Sequence, residues 1–382
     1  MIKVLQVTGA MNRGGAEVMI MDIYKNISPE FHFDFLVNYN LKKGIIEGDF
    51  DAEILSTASK IKHIPAQWDI GPFLYIKKFK EIIKEIGTPD IIHIHMNAKS
   101  GIIAIAAKLA GIKKIIIHSH GDITFKGKFL KNSLTIAEHY AQKILINHCG
   151  TDFWGCSPAA LKSFFYSSKI KRGETVIINN AIDVNKYTNY DKEEGEILKA
   201  SFQRNSNTLV IGAVGRIVRR KNVKFIIEIL HELDLQNVDF IFVNAGKVVD
   251  VEYMKEIEDA ILNYNLTSKV IHLGLRDDIP TVMSTFDVFV SPAYSEAFGM
   301  VAAEAQAAGL PSVLSTEFPK SIDMQLGLVY FIEKFETKLW AEKILQVSYN
   351  KLSNKQSIEL NFQALGFDIK TNIRNIENLY SK

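Results

Sequence analysis

Two glutamates eight positions apart, Glu296 and Glu304, stand in the run Ser291-Pro292-Ala293-Tyr294-Ser295-Glu296-Ala297-Phe298-Gly299-Met300-Val301-Ala302-Ala303-Glu304-Ala305. A strand-like stretch ends at Ser291 and a helix of small residues follows. Glu296 then precedes the helix, and Glu304 lies about a turn and a half inside it. Carboxylates accept hydrogen bonds from hydroxyl groups, and two placed this way can reach different parts of one extended polyhydroxylated ligand. The backbone N–H groups of Phe298, Gly299 and Met300 sit where a helix start would face a phosphate. A negative charge favouring the helix dipole plus a solvent-facing glutamate would explain either residue singly, and both together less easily.

A second loop, Val214-Gly215-Arg216-Ile217-Val218-Arg219-Arg220-Lys221-Asn222, also lies between a strand pattern and a helix pattern. Arg216, Arg219, Arg220 and Lys221 repel one another unless an anion relieves them. Arginine offers bidentate phosphate contacts and lysine a mobile point charge, which suits a diphosphate leaving group. The competing reading is a solvated basic loop. A third loop, Gly9-Ala10-Met11-Asn12-Arg13-Gly14-Gly15-Ala16-Glu17, places Gly14 and Gly15 at a helix start. There they either approach a phosphate or simply make a tight turn. Neither the G-x-G-x-x-G dinucleotide fingerprint nor a phosphate-binding G-x-x-x-x-G-K-[ST] loop occurs. His93 and His95, like His118 and His120, are two apart at strand ends, so each pair projects to one sheet face. Nothing nearby completes a zinc shell, so no metal site is expected. His120, followed by Gly121-Asp122, suits a polar contact in a site, and His93 a hydrogen-bonded place in the core.

The elements that must hold these residues alternate. Short Ile-, Val- and Phe-rich runs over 2–8, 32–37, 90–96, 115–118 and 175–178 read as strands buried on both faces. Helical patterns fall over 16–26, 76–86 and 100–110. The pattern restarts with strands over 208–214, 240–244, 270–273, 288–291 and 312–314. Helices there fit 222–233, 252–264, 279–285, 300–308 and 337–348. The predicted fold is therefore α/β, with two Rossmann-like, doubly wound parallel-sheet domains whose strand-end loops face one cleft. The predicted domains are 1–184, with a C-terminal helix over 362–382 packing back on it, and 185–361. The polar stretch 187–207 reads as their connection.

Composition narrows the class. The chain has 382 residues, 47% of them hydrophobic, with 45 Lys plus Arg against 43 Asp plus Glu. That excludes a disordered polyelectrolyte or a collagen-like chain. Two cysteines, Cys149 and Cys156, supply no disulfide framework. No apolar run approaches a membrane span and no signal-peptide pattern opens the chain, so a cytoplasmic location is expected. Basic residues exceed acidic ones over 1–175 and the balance reverses afterwards, which suits a domain meeting an anionic surface or ligand.

With these residues in view, the chain resembles the retaining glycosyltransferases of family 4, with the GT-B fold, over nearly its whole length. The resemblance rests on Gly14-Gly15-Ala16-Glu17, His118-Ser119-His120, Asn179-Asn180-Ala181-Ile182-Asp183, Gly215-Arg216-x4-Lys221 and Glu296-x7-Glu304 with Ala308-Gly309-Leu310-Pro311. The His-Ser-His element is similar to members that build bacterial capsular polysaccharide and exopolysaccharide. The resemblance implies that Arg216 and Lys221 bind the donor diphosphate and stabilise the departing nucleotide. It implies that Glu304 holds the ribose, and that Glu296 with the backbone of Phe298, Gly299 and Met300 holds the donor sugar. His120 would touch that sugar from the other domain, and Gly14 and Gly15 would line the phosphates and the acceptor side. Glu296, His120, Arg216 and Lys221 are thus the catalytic candidates. Two positions depart from the family pattern: Ala181 and Asn222 each replace a common glycine.

The expected activity is transfer of a sugar from a nucleotide-sugar, UDP-linked, to a polyprenyl-diphosphate-linked saccharide in surface-polysaccharide synthesis. No second carboxylate is placed as a nucleophile for double displacement. A front-face substitution giving an α-linkage is therefore expected, with no metal and no other cofactor. A basic and aromatic segment, Lys113, Lys114, Phe125, Lys126, Lys128, Phe129, Leu130, Lys131 and Lys143, suits an anionic membrane at the inner face of the cell membrane. A solvated helix with an apolar inner side explains it as well. Nucleic acid is not an expected partner. Two alternatives on the same architecture are a hydrolysing nucleotide-sugar epimerase and a non-catalytic sugar-nucleotide-binding protein.

Overall fold

A computed structural model describes residues 1–121, 129–202, 205–296 and 298–382, without the side chains of 129–135. The chain forms two compact units, Met1–Ala181 with Ile369–Lys382, and Ile182–Asp368.

In the first unit seven strands form one sheet: β1 (Ile2–Thr8), β2 (Phe31–Tyr39), β3 (Ile61–Pro65), β4 (Ile91–Ile94), β5 (Lys114–Ser119), β6 (Asp152–Gly155) and β7 (Thr175–Ile177). Their order is β3-β2-β1-β4-β5-β6-β7, every pairing parallel. The second unit repeats the plan with β8 (Leu209–Val214), β9 (Phe240–Ala245), β10 (Val270–His272), β11 (Val288–Ser291), β12 (Ser312–Ser315) and β13 (Val329–Ile332). Its order is β10-β9-β8-β11-β12-β13, again wholly parallel. Each sheet separates two buried apolar clusters. Central strands such as Ile91–Ile94 and Phe240–Ala245 are accordingly buried at every position, because helices cover both faces.

The sequence pattern located the central strands and missed three others. β3 and β13 lie at sheet edges, where polar residues are tolerated; Lys62, His63 and Pro65 break the apolar run of β3. β6 is only four residues, Asp-Phe-Trp-Gly, too short to show alternation. The stretch 187–207 is no free connection. It contains the helix Lys192–Phe202, with Glu193 and Glu194 in its first turn and Lys199 in its last, as the helix dipole favours. The single helix expected over 362–382 is two, Lys355–Ala364 and Ile369–Ser381, separated at Gly366, whose φ of 75° ends the first. The second of these belongs to the first unit. It buries Ile369, Ile373, Ile376 and Tyr380, one apolar stripe at helical spacing.

Among the described residues, no helix is long and apolar enough to cross a membrane. Of the basic and aromatic segment, Phe125, Lys126 and Lys128 lie outside the described residues, as do the side chains of Phe129, Leu130 and Lys131.

Candidate active site

In each sheet the connection direction reverses between two neighbouring central strands, β1 and β4 in the first unit and β8 and β11 in the second. Loops leaving the carboxyl ends of such a pair diverge and leave room for a ligand between them. In the second unit those two loops carry Arg216–Lys221 and Glu296.

The loop after β8 is held against its neighbours by backbone bonds from Gly215 N–H to Ala245 O, 2.9 Å, and from Ile217 N–H to Lys247 O, 2.9 Å. A single 3-10 turn, Arg219–Lys221, then leads to Asn222 and the helix Val223–Leu235. The loop after β11 is tied to the first one. Tyr294 N–H donates to Arg220 O at 2.8 Å, and Arg220 Nη1 donates to Ser295 O at 3.2 Å. Gly299 starts the helix Met300–Ala307 with φ 90°, and a Cβ there would run into the Phe318 ring. Glycine is required at that position on both counts.

Within this frame Lys221 Nζ pairs directly with Glu296 Oε1. The Glu296 side chain is 7% exposed, and Arg220 Nη1 approaches the same oxygen at 3.7 Å. Arg219 turns away. It bonds Glu256 at 2.6 and 3.2 Å, lies 3.6 Å from Asp250 and sits over the Tyr253 ring. Those hydrogen bonds hold Glu256 below the ordinary carboxylate range. The repulsion among four clustered cations, read from sequence as a demand for an outside anion, is thus relieved for three of them by the protein's own carboxylates. Arg216 differs: it is exposed, and its guanidinium makes no hydrogen bond or ion pair among the described residues. Glu304 is half-buried on the helix and engaged with neighbouring groups. The Phe298 and Met300 side chains face the core, Phe298 stacked on Phe367 at 5.2 Å. Only the backbone of those two residues is available to a ligand.

The two departures from the family pattern have different physical meanings. Asn222 has φ 55°, a left-handed conformation that asparagine, like glycine, enters at little cost. Ala181 is buried and absent from the residues with positive φ, so its position demands no glycine. Asn222→Ala is expected to cost about 1 kcal/mol, lowering Tm by about 2–4 °C, whereas Asn222→Gly should leave Tm near that of the parent. Thermal unfolding of the two variants checks this.

In the first unit Gly14 caps the helix Gly15–Asn26 with an extended backbone. Gly15 is exposed, and Glu17 folds back over the position a Cβ on Gly14 would occupy. In the same unit the structure gathers the four histidines. The strand register sets Gln6 opposite His93. His93 Nδ1 lies 2.7 Å from the Tyr380 hydroxyl and its Nε2 3.1 Å from His118 Nδ1. His95 Nε2 lies 2.8 Å from Gln6 Oε1, and its Nδ1 2.7 Å from His120 Nε2. Gln6 Nε2 donates to the Tyr380 hydroxyl at 3.3 Å. Asn97, at φ 46°, fixes the backbone by accepting from His120 N–H at 2.9 Å. Burial pushes the pKa values of His93, His95 and His118 well below the usual value, and that of His120 down to about 4. Nitrogens of His93, His95 and His118 lie within 4.8 Å of one another, close enough to gather round a metal ion. The same nitrogens also lie within hydrogen-bond distance of one another and of Gln6 and Tyr380. Gln6 and Tyr380 went unnoticed in the sequence. Their signal was a lone amide in the apolar run Ile-Lys-Val-Leu-Gln-Val-Thr and a hydroxyl on the apolar stripe of the last helix.

Comparison with known proteins places this architecture. The family described as "Glycosyl transferases group 1" matches residues 195–359, and "Glycosyl transferase 4-like" matches 46–148. EpsF of Bacillus subtilis (strain 168), whose name describes it as a glycosyltransferase, is 31% identical over 381 residues, covering 99% of this chain and 96% of that protein. The chain belongs to the glycosyltransferases. A second relative of this glycosyltransferase is the Escherichia coli UDP-Gal:alpha-D-GlcNAc-diphosphoundecaprenol alpha-1,3-galactosyltransferase. It is 26% identical over 307 residues, covering 76% of this chain and 75% of the relative. The crystal structure of Anabaena Alr3699/HepE in complex with UDP and glucose matches with a TM-score of 0.78 at 20% identity, over 100% of both chains. The enzyme therefore has the GT-B fold, two parallel sheets each covered by helices.

Proposed function

We propose that the enzyme is a retaining transferase of family 4 that moves a hexose from a UDP-sugar to a polyprenyl-diphosphate-linked saccharide. The observation that carries the reading is the array at the ends of β8 and β11: an unpaired, exposed Arg216 beside the Lys221–Glu296 pair. A diphosphate gains negative charge as its bond to the anomeric carbon breaks, and fixed cations aimed at that charge lower the barrier. Lys221 is already desolvated and held by Glu296, so it can exchange part of that pairing for phosphate without reorganising. Glu296 then accepts from sugar hydroxyls, and the N–H groups of Phe298, Gly299 and Met300 add their dipoles. Gly14 and Gly15 are assigned to the phosphates and acceptor, and His120 to a substrate hydroxyl. In this reading the cations supply what a metal would, and the leaving phosphate takes the acceptor proton as the new bond forms on the face it vacates. Names of relatives support donor and acceptor: one uses UDP-galactose and a diphosphoundecaprenol-linked sugar, and one was crystallised with UDP and glucose.

The deciding experiment incubates the purified enzyme and chelator with single UDP-sugars and a polyprenyl-diphosphate-linked saccharide, then reads the product by mass spectrometry and its anomeric configuration by NMR. An α-linked glycolipid is expected. A β-linked product from an α-linked donor would remove the front-face mechanism, and free UDP without transfer would favour the epimerase class. Glu304→Ala should remove one or two charge-assisted hydrogen bonds to the ribose, each about 1.5–3 kcal/mol. That raises Kd for UDP by at least about ten-fold, read by calorimetry.

A further inference from the structure

The four histidines, Gln6 and Tyr380 form one continuous series of contacts in the order His120, His95, Gln6, Tyr380, His93, His118. A neutral imidazole has one N–H and one lone pair, and an amide one accepting and one donating end, so the orientation of Gln6 fixes the protons through His95 to His120. Burial keeps all four rings neutral at pH 7 and keeps the Tyr380 phenol protonated. With the phenol donating within the series, two arrangements exist, one the reverse of the other; were it to accept from both Gln6 and His93, the half from Gln6 through His95 to His120 would be that of the first arrangement.

The distances at Tyr380 select between them. In one, the Gln6 amide N–H donates to the Tyr380 oxygen at 3.3 Å, and the Tyr380 O–H donates to His93 Nδ1 at 2.7 Å. In the reverse, the phenol would donate to the amide oxygen across 3.3 Å, beyond the usual 2.5–3.0 Å of an O–H to O bond. The phenol is also a stronger acid than an imidazole N–H and takes the short contact. The first arrangement also puts every histidine in the Nε2–H form, the form favoured by a neutral histidine side chain in water, whereas the reverse requires Nδ1–H four times. His120 Nε2–H then donates to His95 Nδ1, His95 Nε2–H to Gln6 Oε1, and His93 Nε2–H to His118 Nδ1. The series then ends on two buried atoms without a partner among the described residues, the His118 Nε2–H at one end and the His120 Nδ1 lone pair at the other. An unmet buried acceptor costs about 1–3 kcal/mol, which an incoming O–H would recover.

We propose that Tyr380 and Gln6 are positioning residues: through His95 they lock His120 as the Nε2–H tautomer, presenting Nδ1 as an acceptor for a hydroxyl group of a sugar substrate. The assignment to a substrate hydroxyl rests on the role given to His120 above; the tautomer does not. Tyr380 comes from the last helix, buried at 3% exposure and stacked on Trp154 at 5.7 Å. Gln6 comes from the middle of β1, buried, with its amide oxygen toward His95 and its amide nitrogen toward Tyr380.

The test is histidine-selective 15N labelling of the full chain and long-range proton–nitrogen correlation spectra without any substrate, so its outcome is independent of the transferase activity. A pyridine-like Nδ1 and pyrrole-like Nε2 on both His120 and His95 are expected. A pyrrole-like Nδ1 on His120 overturns the proposal, as does stoichiometric zinc in the purified protein by elemental analysis, since a metal would replace the shared protons. Tyr380→Phe keeps the ring and its stacking. It should leave Gln6 free to turn over, so that His95 and His120 change from one tautomer to an exchanging mixture. Unchanged His95 and His120 signals in a folded Tyr380→Phe variant would remove Tyr380 from the relay. If that variant fails to fold, the tautomers of the parent protein still decide the direction.

Discussion

Arg216→Ala is expected to lower kcat by about 10²–10³, the loss seen when one charge-stabilising donor is removed from a preorganised site, while Tm stays unchanged. The two halves of that expectation have separate physical origins. The guanidinium is exposed and makes no ion pair among the described residues, so folding gains nothing from it beyond ordinary surface terms. Whatever it contributes appears only when charge develops on a bound group. Lys221→Ala should match it in turnover and differ in stability. Lys221 is the direct partner of a Glu296 carboxylate that is only 7% exposed, and its removal leaves that charge to Arg220 alone at 3.7 Å, a loss smaller than that of a fully broken buried pair, about 3–5 kcal/mol, yet well above a surface term. The contrast separates chemistry from folding: both variants slow, one of them melts early. Steady-state kinetics with the donor found in the nucleotide-sugar screen, together with calorimetric melting, reads both effects. Unchanged rates in both variants would sink the diphosphate assignment, because no other described cation at the ends of β8 and β11 lacks a carboxylate partner.

The same pair of loops shows how far sequence reasoning reaches. Glu296, Lys221 and Arg216 were identifiable because each follows an apolar run, and an apolar run in an alternating α/β chain is a strand whose end must open at a ligand-binding edge. Their pairing was not identifiable. That Lys221 is satisfied by Glu296, 75 positions away, and Arg219 by Glu256, 37 positions away, follows from the parallel crossover that sets β8 beside β11 and β9. Sequence spacing is blind to that juxtaposition, so charge clustering alone overstated the need for an external anion. Gln6 and Tyr380 were hidden for the same reason: 374 residues separate them, and the last helix belongs with the first sheet. Edge strands such as β3 were hidden differently, since an edge needs fewer apolar residues and so leaves a weaker pattern.

Gly246→Ala should damage both the stability of the second unit and its turnover. Gly246 follows β9 with φ 158°, and its N–H donates to Gly274 O at 2.7 Å, holding it between two neighbouring loops. A Cβ here would collide with the carbonyl of Gly215 and stand 3.3 Å from the Arg216 nitrogen. The obstructing atoms are backbone, so no rotamer change can clear them; the Gly215–Arg216 peptide itself must move. Overpacking of this kind costs about 1–3 kcal/mol or more, and Tm should fall by several degrees. A displacement near 1 Å is enough to cost about 10²-fold in rate when it misplaces a catalytic group, and the displaced residue is Arg216. Gly274→Ala serves as the control. Its φ of 67° is strained for alanine, yet no atom lies within 4 Å of the added methyl, so it should lose about 1–2 kcal/mol and keep its kcat. If Gly246→Ala retained full turnover at a temperature where it is folded, the close approach of Gly246 to Gly215 would not be what places Arg216. The preorganisation would then have to come from the 3-10 turn and the Lys221–Glu296 pair alone.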